Sequence, residues 1–291
     1  NDLYTFVKNL NTISSSSFDI SGSLINLNVG SFKSYSKIIN NYNLDETNNL
    51  IKLYYEPVPL WKEKYHNYYL ENKIEYLNSE NEWFFDNSTK YLYLWLENDD
   101  IPNLTNIRAK VQTYILNITT NNVNIENINL FSTTIQAKNA DNLTINNCNF
   151  LYPNCYSHML NRTNYDSSNL DNTYNNETKI SNSDNCIIQN CVFKYTDGSV
   201  LNINGDNNQI FNSYFSYIDK TVVNLSEVMT TLVINGNNNI IKNNTIHKSG
   251  ASSTINPGDS GIIEYNNLYN SGYLQSDGAM IHCMVNQQPN V

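Results

Sequence analysis

The sequence predicts an all-β solenoid, a stack of short-stranded coils each burying one face on its neighbours, and three observations carry that prediction. One six-residue phrase recurs as Ile125-Glu-Asn127-Ile-Asn-Leu130, Ile145-Asn-Asn147-Cys-Asn-Phe150, Ile188-Gln-Asn190-Cys-Val-Phe193, Ile210-Phe-Asn212-Ser-Tyr-Phe215 and Ile241-Lys-Asn243-Asn-Thr-Ile246, with a degenerate copy from Ile263 to Leu268. Its starts lie 20, 43, 22, 31 and 22 residues apart. A period of roughly 20 to 22, with loops inserted in the two long gaps and polar turns between short strands, belongs to solenoids. A second phrase precedes the first in two coils, Ile203-Asn-Gly-Asp-Asn-Asn-Gln-Ile210 and Ile234-Asn-Gly-Asn-Asn-Asn-Ile-Ile241, which makes the match too long for chance. The 3.6-residue spacing of helical repeats and the leucine framework of leucine-rich repeats are both absent.

Taken in order, residues 1–106 form a β-rich region, either the start of the solenoid or an insertion into it. Ile20 to Val29 and Leu50 to Tyr55 read as strands between Ser- and Asn-rich turns. Aromatic residues then crowd together, and Glu82 to Trp95 reads as two strands joined by a turn at Asp86 to Lys90. An aromatic hairpin of this kind either seals a core or offers a sugar-stacking platform, and sealing is the commoner role. The solenoid proper occupies residues 107–291. Residues 152–180 are polar and read as an inserted loop, and Asp219 to Leu232 holds a shorter one.

Within the phrase, alternation points Ile145 inward, Asn146 outward, Cys148 inward, Asn149 outward and Phe150 inward, with a bend at Asn147. Asn tolerates the left-handed backbone that such a bend needs. Asn127, Asn147, Asn190, Asn212 and Asn243 are therefore expected to stack as a buried ladder whose amides bond along the axis. Cys148 and Cys191 share one inward position, where they are either stacked free thiols or a disulfide. Cys155 and Cys186 are a second possible pair, and Cys283 has no evident partner.

Composition bounds the function. Asn is about one residue in five, charged residues are 15% and the formal net charge is −10. Nucleic acid is excluded as a partner, because its binding rests on clustered basic contacts to phosphate. No apolar run is long enough to span a membrane, and no cysteine spacing fits a zinc site. The chain begins at Asn1 without a leader and stops at Val291 in what reads as a continuing coil, which points to a processed or excerpted chain. Self-assembly or a larger parent chain therefore stays open.

The phrase and its period resemble the right-handed parallel β-helix proteins of the pectate-lyase-like superfamily. The hairpin Glu82-Trp-Phe-Phe-Asp86 with Tyr91-Leu-Tyr-Leu-Trp95, its lead-in Tyr69 to Leu77, and the segment Leu274-Gln-Ser-Asp277-Gly-Ala279 resemble secreted members of that group assigned to carbohydrate degradation, glycoside hydrolases among them. The family's Gly before the hairpin Glu is Asn81 here. The resemblance implies an extracellular protein acting on a polysaccharide or other glycan, with a strand of each coil flooring the substrate groove. Lyases of this fold use a Lys or Arg base, which the groove strands do not offer, so hydrolysis is the expected chemistry.

Counting seven residues past the bend Asn brings Asp197 and Asp219 to equivalent places on adjacent coils, each ahead of a strand, Val200 to Ile203 and Val222 to Leu225. Two carboxylates at that spacing repel, which raises one pKa as acid/base chemistry requires. The same pair could hold Ca²⁺, though no cofactor is required, or each Asp could simply cap a turn. Asp277 joins them by its resemblance to the family segment. His282, Asn202 and Asn224 project outward and are the expected substrate contacts. Asn161 and Asn176, in the polar insertion, are the plausible glycan acceptors, whereas Asn243, assigned to the buried ladder, is not. Two functions follow from different classes: a polysaccharide hydrolase, and a non-catalytic β-helix module for glycan binding or for a surface appendage or filament.

Overall fold

The computed structural model describes residues 4–8, 19–28, 35–45, 47, 50–58, 67–102, 107–154, 177–219, 230–250, 253–273 and 278–283. They belong to two compact units, with the division in sequence after Arg108. Regular structure is almost entirely strand, the exceptions being short 3₁₀ turns at Ile74–Tyr76 and Glu97–Asp99.

In the first unit, strands Tyr4–Lys8, Leu24–Asn28, Tyr35–Asp45, Leu50–Tyr55 and Asn67–Glu71 form one antiparallel sheet. Strict alternation in Leu50–Tyr55 turns Ile51, Leu53 and Tyr55 into a core with Ile20, Ile25, Leu27, Tyr35, Ile39 and Val58. The expected hairpin is present, Trp83 opposite Leu94 and Phe85 opposite Leu92. Asp86 closes its turn by accepting bonds from the hydroxyls of Ser88 and Thr89, which hold its carboxyl down at about 2. The hairpin builds no core of its own: Trp83 remains 68% exposed and Tyr91 67%.

The second unit is a parallel β-helix of six coils. Each coil contributes one strand to each of three six-stranded parallel sheets. The first sheet contains Tyr114–Ile118, Thr134–Lys138, Thr178–Ser181, Leu201–Asn204, Thr230–Asn235 and Ser253–Asn256. The second is built from the recurring apolar-x positions, Asn124–Glu126 through Ile262–Glu264, and the third follows the bend, Asn129–Phe131 through Asn267–Tyr269. Ile145 pairs with Ile125 and Ile188, and Phe150 with Leu130 and Phe193, so the register read from the phrase is the register of the fold. One correction concerns the first insertion. Thr178, Lys179 and Ile180, assigned to the loop at 152–180, belong to a full first-sheet strand, Thr178–Ser181, with Ile180 opposite Ile203.

The bend residues behave as expected in the backbone. Asn127, Asn147, Asn190, Asn212 and Asn243 all adopt positive φ, from +50° to +59°, and each donates its N–H to a carbonyl of the next coil. Their side chains, however, are exposed rather than buried. Asn147 Nδ2 donates to Asn127 Oδ1 at 2.6 Å, and Asn190 turns instead to Asn146 Oδ1 at 2.9 Å. The left-handed bend swings its own Cβ outward and presents the next residue to the core. That next position carries the buried ladder: Ser213 Oγ accepts from the Cys191 N–H, Asn244 Oδ1 from Ser213 N–H, and Asn266 Oδ1 from Asn244 N–H. Burial therefore gives no reason to exempt Asn243 from glycosylation. A second buried ladder lies at the preceding corner, where Asn208 Oδ1 accepts from the Cys186 N–H and Asn239 Oδ1 from Asn208 N–H. The Gly of the second phrase has its reason at the same corner. A Cβ on Gly236, at φ +115°, would lie 2.2 Å from the Gly205 carbonyl oxygen of the coil before it.

Cys148, Cys186 and Cys191 are buried free thiols. The pairings considered from sequence, Cys148 with Cys191 and Cys155 with Cys186, are thus not made, and Cys155 itself lies outside the described residues. Removal from water pushes the Cys191 thiol up to about 12. Since all three sulfurs are buried out of reach of reagent, they should resist a chromogenic disulfide reagent at pH 8 in the native protein, while exposed Cys283 reacts at once. Titration with and without urea checks this, and rapid native labelling of Cys191 would contradict the packing.

Candidate functional site

The outer face of the first sheet is where a groove was expected, and register lets it be read row by row. One row holds Asn117, Gln136, Lys179, Asn202, Val233 and Asn256. His282 continues it, because Ile281 bridges Ile255 in parallel. Successive strands of a sheet are about 4.8 Å apart, so the row is a line of amide, ammonium and imidazole groups broken only at Val233. Asn202 and His282, expected as substrate contacts, thus stand in one line. Asn224 lies outside the described residues.

The carboxylates are arranged differently from the expectation. Asp197 and Asp219 do lie on neighbouring turns, since Thr196 N–H donates to the Tyr217 carbonyl. Asp219 is 1% exposed with φ +53°, and its Oδ1 accepts from the Gly198 N–H at 3.1 Å. Its own N–H donates to Thr196 Oγ1 at 3.0 Å, and that hydroxyl donates to the Gly198 carbonyl. Asp219 is therefore part of the bond network that holds the turn of the coil before it, whereas Asp197 is half-buried and has no positive φ. The strand paired with Leu201–Asn204 is Thr230–Asn235, and Val222 to Leu225 lie outside the described residues. Asp277, Asn161 and Asn176 lie outside the described residues.

A carboxylate that the sequence reading passed over stands beside the polar row. Glu177 occupies the position ahead of Thr178 on the sheet's outer side, is 2% exposed, and accepts from Asn202 Nδ2 at 2.8 Å. Tyr114, two coils away at the same register, has its phenol pushed above the ordinary value by burial and by the Glu177 charge. The missed signal was the match of Thr178-Lys-Ile180 to Leu201-Asn-Ile203, which the assignment to a loop concealed. Among the described residues no three His, Cys, Asp or Glu side chains come together as they would around a metal ion. No helix among them is long and apolar enough to cross a membrane.

No family model, curated protein or solved structure matches this chain.

Proposed function

We propose that the chain is an extracellular β-helix protein that binds an extended polysaccharide along the outer face of the first sheet. The observation that carries this reading is the row Asn117, Gln136, Lys179 and Asn202, with His282 in line beyond Val233 and the buried Asn256, in which hydrogen-bonding groups recur along the coils. Such groups donate to and accept from sugar hydroxyls, and a regular line of them suits a regular polymer better than a compact ligand. Binding is favoured over hydrolysis by a paired Asp197 and Asp219, because the Asp219 carboxylate already serves a backbone N–H.

Affinity electrophoresis through gels containing plant and algal polysaccharides tests the reading. At least one polymer should retard the protein, and Asn202→Ala with His282→Ala should weaken that retardation about tenfold, as the loss of two hydrogen bonds implies. Asn149→Ser, on the third sheet, should leave it unchanged. Retardation by no polymer, or equal retardation of the double variant, would overturn the proposal.

A second reading, hydrolysis, is favoured by one observation, the buried Glu177 at the edge of the same row. It requires new reducing ends from the bound polymer and their loss in Glu177→Gln with binding intact.

A further inference from the structure

The outer face of the third sheet carries a cluster that the polysaccharide reading does not use. Tyr214 and His247 lie on adjacent strands, and the Tyr214 hydroxyl meets His247 Nε2 at 2.5 Å. Tyr269, one coil further, stacks on the imidazole with centroids 4.8 Å apart. Lys194 Nζ sits 5.3 Å from the centre of the Tyr214 ring. Lys248 Nζ donates to the Tyr217 hydroxyl at 2.7 Å, and its backbone is held at φ +56°.

Two features set the cluster apart. His247 is only 8% exposed, and its Nδ1 is buried with no hydrogen-bond partner among the described residues. Burial depresses the basicity of the imidazole, and the charged groups that add to it, Lys248 and Lys194, are both cationic. In a chain with net charge −10, two ammonium groups around one Tyr–His pair form a local positive field. By contrast Lys242, on the second-sheet strand that precedes Thr245–Ser249 in the chain, is paired with Glu264 at 2.6 Å.

We propose that Lys194, Tyr214, His247, Lys248 and Tyr269 form a subsite for a sugar bearing a tetrahedral oxyanion ester, sulfate or phosphate. Ammonium groups are compact point charges that pair with such oxyanions, and none of the five residues is acidic, so no carboxylate among them competes for the two charges. The half-exposed ring of Tyr269 offers an apolar face for the sugar ring. The site is on a different sheet from the polar row, so it stands or falls independently of the polysaccharide reading.

The test is an NMR titration of the whole chain that follows the His247 imidazole, assigned through His247→Gln, with glucose 6-sulfate, glucose 6-phosphate, glucose and inorganic sulfate. One or both sugar esters should shift the His247 signals saturably, and the comparison of the two tells which ester is preferred. Lys194→Gln with Lys248→Gln should weaken that binding about tenfold, and Lys242→Gln should not. Urea melts on the variants separate loss of the site from loss of the fold, and Lys194→Arg should restore part of the affinity if charge is the cause. No saturable shift with either ester, equal binding by the double variant, or equal affinity for glucose or for inorganic sulfate would overturn the proposal.

Discussion

Replacing Asn244 by leucine is expected to destabilise the solenoid by about 2 to 6 kcal/mol, with a clear fall in the urea midpoint. The Asn244 amide joins three coils. Its Oδ1 accepts from Ser213 N–H at 2.9 Å, and its Nδ2 donates to the Ile210 carbonyl at 2.9 Å and to Asn266 Oδ1 at 3.0 Å. Ser213 is buried, so leucine leaves its N–H without that partner and away from water, while the Ile210 carbonyl and Asn266 Oδ1 each lose a bond. An unpaired buried group costs about 1 to 3 kcal/mol and each lost bond about 0.5 to 1.5 kcal/mol. Asn190→Leu is the informative comparison. That side chain is exposed, and its substitution loses one surface bond and places a less tolerant residue at φ +55°, for about 1 to 2 kcal/mol. Equal midpoints for the two variants would mean that the buried ladder does not lie one residue beyond the bend.

Phe193→Ala should cost about 3 to 5 kcal/mol. Phe193 is fully buried at the middle of an axial stack, with ring centroids 4.3 Å from Phe150 and 5.0 Å from Phe215 and its ring nearly parallel to both. Removing the ring deletes both contacts at once and leaves a void between coils that cannot close, because backbone hydrogen bonds hold the strands at fixed spacing. Phe193→Leu keeps much of the volume and should cost less than half as much. A loss below about 1.5 kcal/mol for Phe193→Ala, read from urea melts followed by far-ultraviolet circular dichroism, would contradict the stack. Coils contribute to stability with their neighbours in a solenoid, so the melt should also broaden if the coils on either side come apart separately.

Much of the fold was legible because a solenoid repeats its local rules. The inward turn of Ile145, Cys148 and Phe150 follows from alternation alone, and the left-handed bend at Asn147 from the residue type. The bend's side chain was misread for a physical reason. Polar stacking in a solenoid can be buried or exposed, and only the direction of Cβ after a left-handed residue decides which. Asn190 and Asn244 look alike as letters, yet one faces water and the other bridges coils.

The candidate sites were less legible. Equal counting from the bend put Asp197 and Asp219 in register, but backbone conformation differs between the two turns, so one carboxylate is enclosed in a hydrogen-bond network and the other is half-buried. Glu177 was hidden by an insertion whose end cannot be told from a strand of four residues. For the Tyr214–His247 pair the phrase aligns Tyr214 with Thr245, two residues before His247, but only the structure shows the imidazole reaching the phenol hydroxyl across that diagonal. By itself the sequence determined the coil, its period, its inward residues and its bends, since these depend on chain-local alternation and on which residue tolerates positive φ. The tertiary structure alone decided which polar side chains are buried, which carboxylate serves the backbone, and which lysines surround the imidazole, because those depend on distances across coils that inserted loops conceal.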